Sequence, residues 1–281
     1  MRRERVSDDI YVFTSAMYAQ VTASAVVQRE GIVVIDTLPF PEETEMMLSF
    51  LKGLGGAPIK YLVNTHSHGD HTLGNYLFDD DVQLVCHQYC WEELVANGQQ
   101  SLDEAKLSAP EFEAVELRVP DIIFEEGDMV LHVGNKSVEL RLMPGHSRDL
   151  TVAYVREDRV LVASDSMMPV PYFVSGDRHS FRETLHRILD YPLESVVQGH
   201  GEVLLRGEVP RSVQASLDYL DIIEERVQAV IDEGQDRAVL DEITIDQCGR
   251  SRIPLNGLVQ DLHSVNLQIL YDELTTPELA G

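Results

Sequence analysis

Asn64-Thr65-His66-Ser67-His68-Gly69-Asp70-His71 follows the apolar run Tyr61-Leu62-Val63 without a break. Three histidines and one aspartate fall within six residues, directly behind a segment that reads as a buried strand. Imidazole and carboxylate are the usual donors to a zinc-like ion when thiolate is absent. His66 and His68 stand two apart, so on extended backbone they point the same way. Gly69 lets the chain turn, and Asp70 and His71 then face a second position nearby. One short loop can therefore serve two ions. The plain alternative is a solvated, histidine-rich turn.

Three further segments share the same grammar. Leu140-Arg141-Leu142-Met143 runs into Pro144-Gly145-His146, Val160-Leu161-Val162-Ala163 into Ser164-Asp165, and Ser195-Val196-Val197-Gln198 into Gly199-His200-Gly201. Each candidate ligand sits just past an apolar, strand-like run. Ligands in sheet-based folds collect in the crevice beyond the ends of such strands. Singly, Asp165 could be a turn former and His146 or His200 structural. Four strand-end loops with the same residue types point to one shared centre, made by His66, His68, Asp70, His71, His146, Asp165 and His200.

Outward from these loops, residues 10–16 and 24–36 read as strands with Glu30-Gly31 at a turn. Pro39 and Pro41 introduce a helix whose expected apolar face is Met46, Met47, Leu48, Leu51 and Leu54, and Gly55-Gly56 ends it. A strand at 82–85 and a helix around 88–97 follow. Residues 98–120 are polar and punctuated by Pro110 and Pro120, and are expected to be an irregular midpoint of the fold. Strands resume at 129–133, 138–143, 151–155 and 160–163, with a helix around 180–190 and a strand at 195–198. Two β-rich halves with helices outside predict a four-layer α/β sandwich. Beyond residue 208 the pattern changes. Val213, Leu217, Leu220, Val227 and Ile231, then Leu258, Leu262, Val265 and Ile269, followed by Leu274, fall near helical spacing. The expected organisation is a catalytic body over 1–208 and a helical C-terminal extension over 209–281, packed on the body or on a second copy of the chain.

Composition narrows the partners. The 281 residues carry a formal charge of −26. A field of that sign repels polyanions, so nucleic acid is not expected as a partner. The basic Arg2, Arg3 and Arg5 are followed by no long apolar run, and no stretch approaches the ~20 apolar residues of a membrane span. A cytoplasmic protein acting on a small molecule is expected. Cys86, Cys90 and Cys248 are too few for a disulfide framework. Cys86 and Cys90 flank His87, but with no second thiolate pair they are expected to pack in the interior.

With these motifs in hand, the chain resembles the metallo-β-lactamase superfamily. The matching residues are the His-x-His-x-Asp-His loop at 66–71, Pro-Gly-His at 144–146, Asp165, Gly-His-Gly at 199–201, and Asp36 beside the first hairpin. The likeness covers about residues 10–205 and implies an αββα sandwich. It implies that His66, His68 and His146 hold one divalent ion, that Asp70, His71 and His200 hold a second, and that Asp165 bridges them. Zinc is the expected metal, with iron and manganese compatible with the same donors. Asp36 would support the site without ligating. Five of the ten histidines are used in this way, and His87, His132, His179, His186 and His263 are expected to be ordinary.

Two such ions about 3.5–4 Å apart share one hydroxide, a nucleophile at neutral pH. Asp70 is expected to orient it and to help protonate the leaving group. Two divalent ions, two carboxylates and one hydroxide sum to a single positive charge, which suits uncharged or singly anionic substrates. Dedicated β-lactamases of this family carry cysteine or serine where Asp165 stands, so a small ester, lactone or thioester is expected. Lactonases of the family often carry tyrosine three residues past the bridging aspartate; here that residue is Met168, with Tyr172 nearby. No basic set for gripping glutathione is visible, and the acidic charge argues against an RNA-cutting role. Phosphodiesterase activity is the alternative on the same two ions, with Arg148 the nearest basic residue in sequence. A mononuclear-iron persulfide dioxygenase would leave His71 and His200 unused. A non-catalytic metal- or partner-binding protein on the same fold is the third class.

Overall fold

A computed structural model describes residues 1–276. The first half is a seven-stranded sheet of β1 (Arg2–Ser7), β2 (Ile10–Thr14), β3 (Thr22–Gln28), β4 (Gly31–Ile35), β5 (Ile59–Val63), β6 (Gln83–His87) and β7 (Ile122–Phe124), in that spatial order. Its first four strands run antiparallel as hairpins, whereas β4 to β7 pair in parallel. The parallel pairs need crossovers, which are supplied by α1 (Pro41–Gly53), α2 (Gly69–Thr72) and α3 (Gln88–Ser108). The second sheet holds β8 (Met129–Val133), β9 (Lys136–Leu142), β10 (Thr151–Val155), β11 (Val160–Ser164), β12 (Ser195–Gln198) and β13 (Leu204–Leu205), in the order β13-β12-β11-β10-β9-β8. Only β11 and β12 pair in parallel there, bridged by α4 (Arg178–Ile188).

Strand periodicity builds the layers. In β4, Val33 and Ile35 face the second sheet, while Ile32 and Val34 pack with Met47, Leu48 and Leu51 of α1. In β11, Val160 and Val162 join the core between the sheets, while Leu161 and Ala163 face α4 and the tail. Successive side chains point to opposite faces, so a strand buried on both faces reads as an unbroken apolar run. The expected αββα sandwich is the fold.

The tail consists of α5 (Val209–Asp232) and α6 (Val259–Thr275), linked by short 3-10 turns. Leu217, Tyr219, Leu220 and Ile223 of α5 and Leu267 and Leu270 of α6 are buried in the same cluster as Val152, Leu161 and Val196 of the second sheet. The amphipathic stripes seen in the sequence thus cover the outer face of that sheet.

Two expectations are corrected. Residues 98–108 are helical: α3 runs to Ser108 and buries Leu94 and Leu102. The polar residues there are strong helix formers on a solvated face, and at Gly98 the helix passes close to Leu117, whose Cδ1 would stand 3.1 Å from an added Cβ. The two halves meet later than expected, between Phe124 and Met129. The short strands β1, β7 and β13 carried no alternating pattern long enough to read. β1 in particular is an edge strand rich in Arg and Glu, a composition that protects an edge from further pairing.

Candidate metal centre

The C-terminal ends of β4, β5, β9, β11 and β12 open onto one crevice, which carries Asp36, the 64–71 loop, His146, Asp165 and His200. Contacts between the halves close it. Thr22 N–H donates to Gly199 O (2.8 Å), Gly201 N–H to Gln20 O (3.0 Å) and Thr151 N–H to Thr65 O (2.8 Å). Asp36 and Ser164 both adopt positive φ, 60° and 47°, at the ends of their strands. Non-glycine residues rarely pay that steric cost, and here it turns the chain sharply into the site.

All seven predicted ligand residues come together. Donor atoms of His66, His68, His146 and Asp165 lie within 4.8 Å of one another, and so do those of Asp70, His71 and His200. Asp165 faces both groups: its Oδ1 is 3.3 Å from His71 Nε2, and its Oδ2 is 3.4 Å from both His146 Nε2 and His200 Nε2. Asp70 Oδ2 lies 3.3 Å from His200 Nε2.

The outward ring nitrogens fix which lone pairs face inward. Thr65 Oγ1 donates to Asp36 Oδ2 (2.7 Å), so it can only accept from His66 Nδ1 at 3.0 Å. His71 Nδ1 donates to Asp36 Oδ2 (3.1 Å), His146 Nδ1 to Tyr172 O (2.6 Å) and His200 Nδ1 to Ala19 O (3.0 Å). In the neutral form that binds a metal, these four rings present an unprotonated Nε2 to the centre. His68 is turned the other way. Its Nε2 is 3.2 Å from Ser175 Oγ, and its Nδ1 faces His146 Nε2 at 3.0 Å. Asp36 supports the loop as expected, also accepting from Thr65 N–H at 2.8 Å.

Such an arrangement calls for positive charge. His66 Nε2, His71 Nε2 and Asp165 Oδ1 are buried without hydrogen-bond partners. Leaving a buried polar atom unpaired costs about 1–3 kcal/mol. In the bare protein the charges respond to that demand. Burial pulls the His200 imidazole down, but Asp165 and Asp70 outweigh it and push the ring up to about 10. His71 is likewise raised against burial by Asp165 and Asp70. His66 and His146, dominated by burial, are lowered, His146 to about 4. Burial also works against ionised Asp70 and Asp165, yet the neighbouring imidazoles hold both carboxyls below the usual range. The donor set fits divalent ions of the zinc, iron or manganese type.

Residues that sequence reading did not assign also shape the centre. Thr65 and Ser164 hydrogen-bond around Asp36, and Asp149 accepts from Ser67 N–H at 2.8 Å. The carbonyls of Ala19 and Tyr172 orient two imidazoles, and a backbone acceptor leaves no signature in sequence. Arg148 takes no part in the site: it pairs with Glu92 at 2.9 Å and lies over the Tyr89 ring. Cys86 and Cys90 are buried and unpaired, and His87 caps α3 by accepting from Tyr89 N–H. His263 and Asn266 lie in the core, where His263 meets Tyr219 and Ile243 O.

Fold and centre together define a two-site metalloprotein on an αββα sandwich. The profile described as "Metallo-beta-lactamase superfamily" matches residues 18–200, and the chain belongs to that superfamily. Among curated relatives, human "Acyl-coenzyme A thioesterase MBLAC2" is 27% identical over 157 residues, 49% of this chain and 54% of that protein. "Beta-lactamase-like protein 2 homolog" of Caenorhabditis elegans is 26% identical over 147 residues, 52% of this chain and 43% of that one. The match thus spans about half the length of these relatives. Among solved structures, a metallo-β-lactamase from Pontibacter korlensis superposes with TM-score 0.63 at 21% identity, covering 76% of this chain and 97% of that one. The sec-alkylsulfatase Pisa1 from Pseudomonas sp. superposes with TM-score 0.74 at 17% identity, covering 96% of this chain and 50% of that one. At these identities the likeness is one of fold.

Proposed function

We propose that the protein is a dinuclear-metal hydrolase acting on an ester, lactone or thioester. The observation that carries this reading is the convergence of five imidazole nitrogens and two carboxylates on one largely buried centre. His66, His68 and His146 would hold one ion, Asp70, His71 and His200 the other, and Asp165 would bridge. The second group favours two ions over the single iron of a persulfide dioxygenase. Ions held there would acidify a shared water and polarise the scissile bond. Asp70 lines the cavity above the centre, and its ionised carboxylate would orient that water, accept its proton and hand that proton on to the leaving group. No serine or cysteine nucleophile is required.

The name of the human relative supports thioester or ester carbonyls over phosphodiesters, as does the acidic charge of this chain. Zinc is the proposed metal. No described helix is long and apolar enough to cross a membrane. Three unpaired, buried thiols suit a reducing compartment, and we place the protein in the cytoplasm. Self-association through the C-terminal helices is a further proposal, read by sedimentation velocity.

Elemental analysis of protein purified without chelator should give close to two metal equivalents, and kcat/KM should favour a carbonyl substrate. One iron with no second metal after reconstitution would overturn the dinuclear reading. A tenfold preference for a phosphodiester, or for a β-lactam, over every carbonyl substrate would overturn the substrate class.

A further inference from the structure

The centre opens into a cavity of about 680 Å³, within the range of small-molecule sites. Its walls beyond the metal ligands are mostly apolar. The first half contributes Phe40, Leu73 and Phe112, and the tail contributes Leu255, Leu258 and Leu262. Phe40 and Phe112 stack with ring centroids 5.1 Å apart. Among the described residues no lysine or arginine lines the cavity, and the acidic Glu93 does.

The tail reaches this wall by an unusual route. Leu255 and Asn256 both lie in the left-handed region, at φ 55° and 56°, and Gly257 follows at φ 93°. A leucine there crowds its Cβ against the following carbonyl. Leu255 is nonetheless 2% exposed and part of the cavity lining. The turn sets a leucine into the cavity wall and starts α6 so that Leu258 and Leu262, one turn apart, line it too. Burial of Leu255 in the core shared by the tail and the second sheet holds this left-handed turn at the cavity wall.

We infer that segment 255–262 is the acyl-binding wall of the site, and that the substrate is an uncharged ester or thioester with a hydrocarbon acyl chain. This rests on the carbonyl-hydrolase reading above. An apolar chain gains from burial against the leucines and phenylalanines. A leaving group that carries phosphates, such as coenzyme A, finds no lysine or arginine among the described lining residues and meets the repulsion of an acidic protein. The chain length accepted would be set by the tail, an element outside the matched residues 18–200.

The test uses the metal-analysed full chain and p-nitrophenyl esters from acetyl to decanoyl, with decanoyl-coenzyme A alongside. For the wild type, kcat/KM should rise at least about tenfold from acetyl to decanoyl. Leu258→Ala and Leu262→Ala should each lower the decanoyl-to-acetyl ratio about tenfold, mainly through KM. Leu205→Ala, on an exposed strand remote from the cavity lining, should leave the ratio unchanged. A readout independent of turnover is calorimetric binding of 1-decanol against 1-butanol, with decanol tighter in the wild type and weakened in both variants. Decanol binding with no hydrolysis of any ester would support the wall and sink only the carbonyl-hydrolase reading. A flat chain-length profile together with equal binding of the two alcohols would overturn the wall. Faster turnover of decanoyl-coenzyme A than of the neutral decanoyl ester would overturn the uncharged substrate.

Discussion

A Cβ on Gly199 would stand 1.8 Å from Asp165 Oδ1 and 2.6 Å from the Ser164 carbonyl carbon. No rotamer change relieves such a contact, because both neighbours are fixed by the turn that aims Asp165. Gly199→Ala should therefore displace the carboxylate that faces both groups of ligands. Metal analysis should show loss of at least one equivalent, with kcat/KM down about a hundredfold, roughly 2.7 kcal/mol of transition-state stabilisation. Full metal content and wild-type kinetics would show that the turn tolerates the methyl. Asp70 offers a different contrast. Asp70→Asn keeps the shape but makes a weaker ligand that cannot accept a proton. Steady-state kinetics should show kcat reduced at least about tenfold, and a smaller effect would remove the orienting role.

At the level of elements, α6 supports the centre without touching it. Asn266 is fully buried, and its Nδ2 donates to Pro171 O (2.6 Å) and to Tyr219 Oη (3.1 Å). Phe173 N–H reaches Asn266 Oδ1 at 3.5 Å. The residue between them, Tyr172, supplies the carbonyl that orients His146. Asn266→Ala should loosen that carbonyl and weaken metal binding about tenfold by competition with a chromogenic chelator, as outer hydrogen bonds to ligands commonly do. An unchanged metal affinity with lowered thermal stability would reduce Asn266 to a packing role. His263 ties the same helix to α5 and to Ile243 O, and burial holds its imidazole below the ordinary 6.5. The folded protein thus binds this proton less readily than the unfolded chain. The stability it contributes is present above 6.5 and is lost as pH falls below it. Thermal midpoints measured from pH 7.5 to 5 should fall more steeply for the wild type than for His263→Gln, which cannot titrate. Parallel curves would show that His263 carries none of the acid sensitivity.

Taken as one molecule, the tail is bound to the body by a shared core. Tyr219, Leu220 and Ile223 bury with Val152, Leu161 and Val196, and each such side chain returned to water costs ~1.5–3 kcal/mol. Deletion after residue 208 should expose the outer face of the second sheet. Differential scanning calorimetry of residues 1–208 should show loss of a cooperative transition, with aggregation on gel filtration. A soluble truncated protein with the parent's transition and substrate range would make the tail incidental.

The residues that converge on the candidate centre were legible because they are written in local spacing. His66, His68, Asp70 and His71 share one loop, and His146, Asp165 and His200 each follow an apolar run whose strand character needs no tertiary information. The layered fold was legible for the same reason, since β4, β10 and β11 are apolar on both faces. Other features depended on contacts far apart in sequence. α3 extends through polar residues because Leu102 finds Phe112 and Val115 to pack against. The orientation of His146 and His200 depends on the carbonyls of Tyr172 and Ala19, groups every residue possesses. The apolar wall joins Phe40, Phe112 and Leu258, which no sequence window contains. The sequence by itself determined the candidate donors and the strands that carry them, because periodicity and spacing are local. Only the tertiary structure decided which nitrogen of each ring faces inward, what orients it and what walls the cavity, because those depend on which distant backbone and side chains are brought within bonding distance.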